Sequence, residues 1–191
     1  MEGTTTPTAP TAETIVHSDA NHPAEHSVLS KSNSANSTEK PVKISVILPT
    51  NAYFMSGIRD FTMTVVQNMT GFSEQWAFRF QSVVDELTNN AIEFGSAPGQ
   101  DIKVTFVSQK GKYIEVFVED TGTGPNKKTA KELATYVEEH KNADPTTITS
   151  IRGRGLAQIV AAWTDSLEFK ENEKGGITVH VIKNLDEGEA L

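Results

Sequence analysis

Apolar residues recur with two different periods along the chain, and the order of these periods limits the fold. Patterns typical of strands occur at 42–48, 101–108, 112–119, 167–170 and 177–183. Patterns typical of helices occur at 52–69, 73–94, 127–141 and 153–163. The resulting order predicts an α/β fold, a two-layer α/β sandwich in which helices cover one face of a mixed, mainly antiparallel sheet.

Composition divides the chain into one domain and two flanking segments. Residues 1–40 consist mostly of Thr, Ser, Ala, Asn, Pro and Glu. Such a segment cannot bury enough apolar surface to offset its ordering entropy, so we predict a disordered N-terminal tail. Residues 41–185 form the predicted domain, and 186–191 a short C-terminal tail.

Charge and cysteine content exclude several functional classes. A net charge of −8 argues against nucleic acid as the main partner, because neutralising phosphates requires a basic face. The sequence contains no cysteine, which excludes a disulfide framework and a thiolate metal site. Since neither a secretory leader nor an apolar run of about 20 residues is evident, we expect a soluble cytoplasmic protein.

The first polar motif is ELTNNA at 86–91, inside a helical pattern. Glu86 and Asn90 are four residues apart and therefore neighbours on a helix. An Asn oxygen suits Mg²⁺, which needs few protein ligands, and burial raises the pKa of a Glu and suits it to accept a proton. The alternative is a polar pair at the surface edge that only helps solubility.

The second motif, DTGTG at 120–124, directly follows the strand pattern 113–118. An ionised Asp120 only accepts hydrogen bonds, so it matches an exocyclic amino group such as that of adenine. Gly122 and Gly124 allow a ligand to approach the backbone closely. The alternative is an ordinary acidic turn between a strand and a helix.

The third motif, GRGL at 153–156, begins a helical pattern. Free amides at a helix start bind phosphate, and Arg152 and Arg154 can reach phosphate oxygens. The alternative is a glycine-rich loop closing onto a packed helix. The pattern of a P-loop is missing, and so is the third glycine of a dinucleotide-binding motif, because residue 158 is Gln.

With these motifs in this order, the chain resembles the GHKL ATPase superfamily. Residues 41–185 look like the serine-kinase anti-sigma factors of bacterial partner-switching systems, although Phe94 stands where many members have histidine. The resemblance implies that Asn90 binds Mg²⁺ and that Glu86 is the general base. It also implies that residues 125–152 form an ATP lid and that the nucleotide is bound by Asp120, Gly122, Gly124, Gly153, Arg154, Gly155 and Leu156.

The resemblance further implies an ATP- and Mg²⁺-dependent serine/threonine protein kinase. It would sequester a sigma factor, phosphorylate an anti-anti-sigma partner of the STAS type, and form a homodimer. The competing interpretation is a non-catalytic nucleotide- or partner-binding module of the same fold. A third is the ATPase domain of a histidine kinase, which we favour less because no segment resembles a phosphoacceptor helix pair.

Overall fold

The computed structural model describes residues 40–125, 127–140, 155–186 and 188–189. The described strands form one five-stranded sheet, in the order β1-β2-β3-β5-β4, and each neighbouring pair is antiparallel. β1 and β4 are therefore its edges. The strands are β1 (Val42–Pro49), β2 (Asp101–Gln109), β3 (Tyr113–Glu119), β4 (Ser166–Glu171) and β5 (Ile177–Asn184).

The helices follow the predicted order. α1 (Met55–Met69) is preceded by a 3-10 turn at Ala52–Phe54, and α2 (Glu74–Asn90) continues into a π-helical turn at Ala91–Gly95. α3 (Ala130–His140) follows β3. A second π-helical turn, Gly155–Val160, leads into the short α4 (Ala161–Trp163). The predicted α/β sandwich is confirmed, with the difference that every pairing among the described strands is antiparallel.

One face of α2 and alternate residues of the central strands form the core. Side chains two positions apart on a strand point to the same face of the sheet, and side chains three or four positions apart lie on the same face of a helix. The apolar side chains of both elements therefore pack against each other in one layer. The fully buried side chains include Phe80, Val83, Val84, Leu87, Val104, Phe106, Val116 and Val181. The C-terminal end of α2 is thereby held against the middle of the sheet, where the site described below lies.

α3 begins three residues later than the sequence pattern predicts, at Ala130 rather than residue 127. Thr129 and Glu132 form a capping box: the Glu132 carboxylate accepts from the backbone N–H of Thr129 at 2.7 Å, and the Thr129 hydroxyl accepts from the N–H of Glu132 at 3.2 Å. The pKa of Glu132 is lowered, because its carboxylate accepts hydrogen bonds from both the backbone N–H and the hydroxyl of Thr129. This cap fixes where the described part of the predicted lid becomes helical.

The predicted N-terminal and C-terminal tails stay predictions. The structure describes only Lys40 of the predicted N-terminal tail, and of 186–191 it describes Asp186, Gly188 and Glu189. Asp186 and Glu189 both form ion pairs with the buried Lys183, whose Nζ lies 4.7 Å from the centre of the Trp76 ring.

Among the described helices, none combines the length and the apolar character that crossing a bilayer requires.

Candidate functional site

A cavity of about 280 Å³ opens between α2, α3 and the ends of β3 and β5. Its walls are mostly apolar, with the polar groups of Asn90, Asp120, Lys128 and Tyr136 among them. Such a combination, an apolar cleft with few placed polar groups, is typical of sites for small organic ligands. The lining residues are Leu87, Asn90, Ala91, Phe94, Val118, Asp120, Lys128, Leu133, Tyr136, Leu156, Phe169, Ile177 and Val179.

Asn90 lines this cavity and is joined to Glu86, one turn earlier on α2. Nδ2 of Asn90 donates a hydrogen bond of 2.7 Å to Oε1 of Glu86. The side-chain oxygen of Asn90 accepts no hydrogen bond from the described residues, and so it stays available to a ligand. Burial raises the pKa of Glu86, while the Asn90 hydrogen bond acts against this rise.

Asp120 lies at the end of β3, on the same cavity. Its Oδ1 accepts two backbone hydrogen bonds of 2.9 Å, from the N–H groups of Gly122 and Ile177. Oδ2 accepts none from the described part of the chain. Burial raises the pKa of Asp120, and the backbone bonds and the charge of Lys127 oppose that rise. One carboxylate oxygen is thus held by the backbone, while the other is available to a bound group.

Gly122 and Gly124 lie where two backbones approach closely. Gly122 has φ of 64°, and a methyl group on it would overlap the carbonyl of Gly175. A methyl group on Gly124 would overlap the carbonyl of Phe94. Neither glycine is among the residues that line the cavity. They shape the loop that carries Asp120, and their contact with a nucleotide base stays a prediction.

The third motif lies partly outside the described residues, since Gly153 and Arg154 are not described. Gly155 packs directly on the Glu86 carboxylate, so that a methyl group there would overlap it. Leu156 lines the cavity. The described parts of the three motifs therefore meet in one region: Asn90, Asp120 and Leu156 share the cavity, and Glu86 joins Asn90 to Gly155.

Sequence reasoning did not identify several residues of the cavity wall. Leu133 and Tyr136 of α3 line it, as does Lys128, whose Nζ lies 5.0 Å from the centre of the Tyr136 ring. The spacing of Leu133 and Tyr136, with Val137 beside them, is a signal for one apolar face on a mostly polar helix. Phe169, Ile177 and Val179 come from β4 and β5, and nothing local in the sequence marks them as site residues.

The family model for the histidine kinase-like ATPase domain matches residues 48–183. This match covers more than half of the chain, so the chain belongs to the histidine kinase-like ATPase domain family. It carries an ATP-binding module of the GHKL type, as the resemblance implied. A comparison with curated proteins gave no match.

The residues present fit an adenine nucleotide with a hydrated divalent ion. Asp120 offers a carboxylate oxygen beside an apolar cavity, and Asn90 offers an amide oxygen. The described residues contain no group of three His, Cys, Asp or Glu side chains that could hold a metal ion. The Asn90 oxygen, together with water and phosphate oxygens, would form a ligand set that suits Mg²⁺ and not Zn²⁺.

Proposed function

We propose that the chain is an ATP- and Mg²⁺-dependent serine/threonine protein kinase acting as an anti-sigma factor. It sequesters a sigma factor and phosphorylates an anti-anti-sigma protein of the STAS type. One observation carries the kinase step: the Glu86 carboxylate, with a raised pKa, is hydrogen-bonded to the residue that offers an oxygen to the nucleotide cavity. A polar pair that only helps solubility would be exposed, whereas Glu86 is half-buried.

The residues divide the reaction between binding and proton transfer. Asp120 accepts a hydrogen bond from the adenine amino group through Oδ2. Asn90 would hold Mg²⁺, which when bound supplies charge neutralisation on the phosphates. Glu86 orients the hydroxyl of the acceptor serine or threonine and takes its proton. The hydroxyl oxygen forms a bond to the γ-phosphorus, the bond between that phosphorus and the β,γ-bridging oxygen breaks, and ADP leaves.

Asn90 also supports the base directly. Its amide donates to Oε1 of Glu86, which leaves Oε2 for the acceptor hydroxyl. A carboxylate held in one orientation loses less entropy when it engages the hydroxyl. Its raised pKa strengthens it as a base compared with an exposed glutamate.

The partners are proposed from the resemblance to partner-switching anti-sigma factors. A sigma factor, a STAS-type antagonist and a second copy of this chain are the expected partners. Co-purification from the native cell, followed by identification of the bound proteins, tests the first two. Light scattering of the purified chain tests the homodimer, which a monomeric mass at micromolar concentration would contradict.

The kinase step is tested with Glu86→Gln, which keeps the shape of the side chain and removes its basicity. We expect ATP binding to persist and transfer of labelled phosphate to the co-purified antagonist to fall by about 10²- to 10⁴-fold. Glu74→Gln is the matched control, because Glu74 is an exposed carboxylate in the first turn of the same helix, α2. Wild-type transfer rates in Glu86→Gln would exclude Glu86 as the base.

The competing function, a binding module without catalysis, gives a different result in the same assay. ATP with Mg²⁺ would raise the melting temperature, because a ligand that binds the folded state stabilises it. No phosphate would reach any co-purified partner. That pair of results would replace the proposed kinase by a regulatory module.

A further inference from the structure

The turn between β4 and β5, residues 172–176, contacts the loop that carries Asp120, residues 120–124. Asn172 makes this contact with its side chain. Its Nδ2 donates a hydrogen bond of 2.9 Å to the backbone carbonyl of Asp120. Its Oδ1 accepts at 3.0 Å from the N–H groups of Lys174 and Gly176 within its own turn. The side-chain amide of Asn172 therefore stabilises its own turn and also binds the loop that carries Asp120.

The two segments approach so closely that only glycine fits between them. A methyl group on Gly122 would overlap the backbone of Gly175, and one on Gly176 would overlap the backbone and carboxylate of Asp120. Lys127 adds a third connection, since its Nζ donates to the carbonyl of Gly175. The described start of the predicted lid is therefore attached to the same turn.

The turn determines where the Asp120 carboxylate lies. Asp120 donates its N–H to the carbonyl of Ile177 at 3.0 Å, and its Oδ1 accepts from the N–H of Ile177 at 2.9 Å. Ile177 is the first residue of β5, directly after the turn. Because Asn172 holds the Asp120 carbonyl and Ile177 holds Oδ1, a shift of the turn moves Oδ2 relative to the cavity.

We propose that Asn172 is a positioning residue that sets the base selectivity of the nucleotide site by holding Asp120. The proposal rests on the adenine-binding part of the proposed function and does not depend on phosphate transfer. Adenine carries an amino group at the position where hypoxanthine carries an oxygen. A fixed carboxylate acceptor therefore favours ADP over inosine diphosphate, and a displaced one loses that preference.

The test is calorimetric titration of the full chain with ADP and with inosine diphosphate. Asn172→Asp keeps an oxygen for the two turn amides but cannot donate to the Asp120 carbonyl. We expect ADP to bind about tenfold more weakly and the preference for ADP to shrink by a similar factor. Glu173→Ala is the matched control, because Glu173 is exposed in the same turn, and it should keep wild-type values.

A purely structural role would lower the melting temperature without changing selectivity. If Asn172→Asp and Asn172→Ala both keep the wild-type ratio of ADP to inosine diphosphate affinity, the proposal is overturned. A wild-type chain with no preference for ADP would overturn it as well. Failure of the kinase assignment has a different signature, namely wild-type selectivity for ADP without phosphate transfer to any partner.

Discussion

Nδ2 of Asn90 donates a hydrogen bond of 2.7 Å to Oε1 of Glu86, one helical turn earlier on α2. This bond joins the residue proposed to hold Mg²⁺ to the residue proposed to take the proton. It also orients the Asn90 amide, since the nitrogen faces Glu86 and the oxygen remains for a ligand. The spacing of four residues on a helix is what brings the two side chains together.

Asn90→Ala should remove the effect of Mg²⁺ on nucleotide binding. We expect ADP affinity measured with EDTA to stay close to wild type, and the gain produced by Mg²⁺, about 10- to 100-fold, to disappear. Asn89→Ala is the control, because its side chain points about 100° away around the helix. An equal gain from Mg²⁺ in Asn90→Ala and the wild type would exclude Asn90 as the ligand.

Gly155→Ala should lower the rate of phosphate transfer more than it lowers the affinity for ADP. The added methyl group overlaps the Glu86 carboxylate, so that this carboxylate must shift from the position in which Asn90 holds it. A base displaced by about 1 Å costs about 100-fold in rate, whereas Asp120 keeps its place. Phosphate transfer and ADP affinity should be measured in parallel.

The control for Gly155→Ala is Gly57→Ala on α1, where nothing lies within 4 Å of the added methyl group. This substitution should stabilise the fold by about 0.5–1 kcal/mol, because alanine favours helix over glycine. If Gly155→Ala lowers ADP affinity as strongly as transfer, Gly155 acts in nucleotide binding instead of positioning Glu86.

Gly122→Ala should destabilise the fold more than Gly99→Ala, although both glycines have positive φ, 64° and 83°. At Gly99 the methyl group meets nothing within 4 Å, so only backbone strain of about 1 kcal/mol is expected. At Gly122 it overlaps the backbone of Gly175. We expect a loss of about 3 kcal/mol in the free energy of unfolding, measured with urea. Equal losses would mean that the contact between the two segments contributes little.

The stability of the nucleotide-free protein should depend on the ionisation of Asp120. Its pKa is raised, chiefly by burial, so the folded state binds this proton more tightly than the unfolded state does. The resulting stabilisation is fully present below the pKa of the unfolded chain and is lost as pH rises through the folded pKa.

Asp120→Asn removes this pH dependence while its oxygen still accepts from Gly122 and Ile177. The wild type loses this contribution to stability as pH rises, and the variant does not. The free energy of unfolding of the variant, relative to that of the wild type, should therefore increase between about pH 4 and about pH 8 in urea titrations. Asp101→Asn, at an exposed position, is the control. A constant difference between Asp120→Asn and the wild type across this range would contradict the raised pKa.

The sequence predicts the parts of the site that depend on local chemistry. The helical spacing of Glu86 and Asn90 predicts their contact, and the position of Asp120 after a strand predicts its place at the end of β3. The sequence does not predict contacts between distant segments. The support that Asn172 gives Asp120 depends on β5 pairing with β3, and the packing of Gly155 on Glu86 depends on how a π-helical turn meets α2.

Local sequence patterns also give incomplete information about the ends of helices and about the roles of turn glycines. The polar pattern at 127–141 predicts a helix but puts its start three residues too early, because the reciprocal bonds of Thr129 and Glu132 determine where the first turn forms. Gly175 and Gly176 lie between the strand patterns 167–170 and 177–183, where glycines are typical of a turn. Their second role, allowing the approach of the Asp120 loop, becomes visible only in three dimensions.

Calorimetric titration of ADP into the wild type and Asp120→Asn tests most directly whether the motifs form one adenine nucleotide site. A hydrogen bond to a charged group contributes about 1.5–3 kcal/mol, so we expect the variant to bind about 10- to 100-fold more weakly than both the wild type and Asp101→Asn. Equal affinity in all three proteins, or no binding to the wild type, would contradict the site.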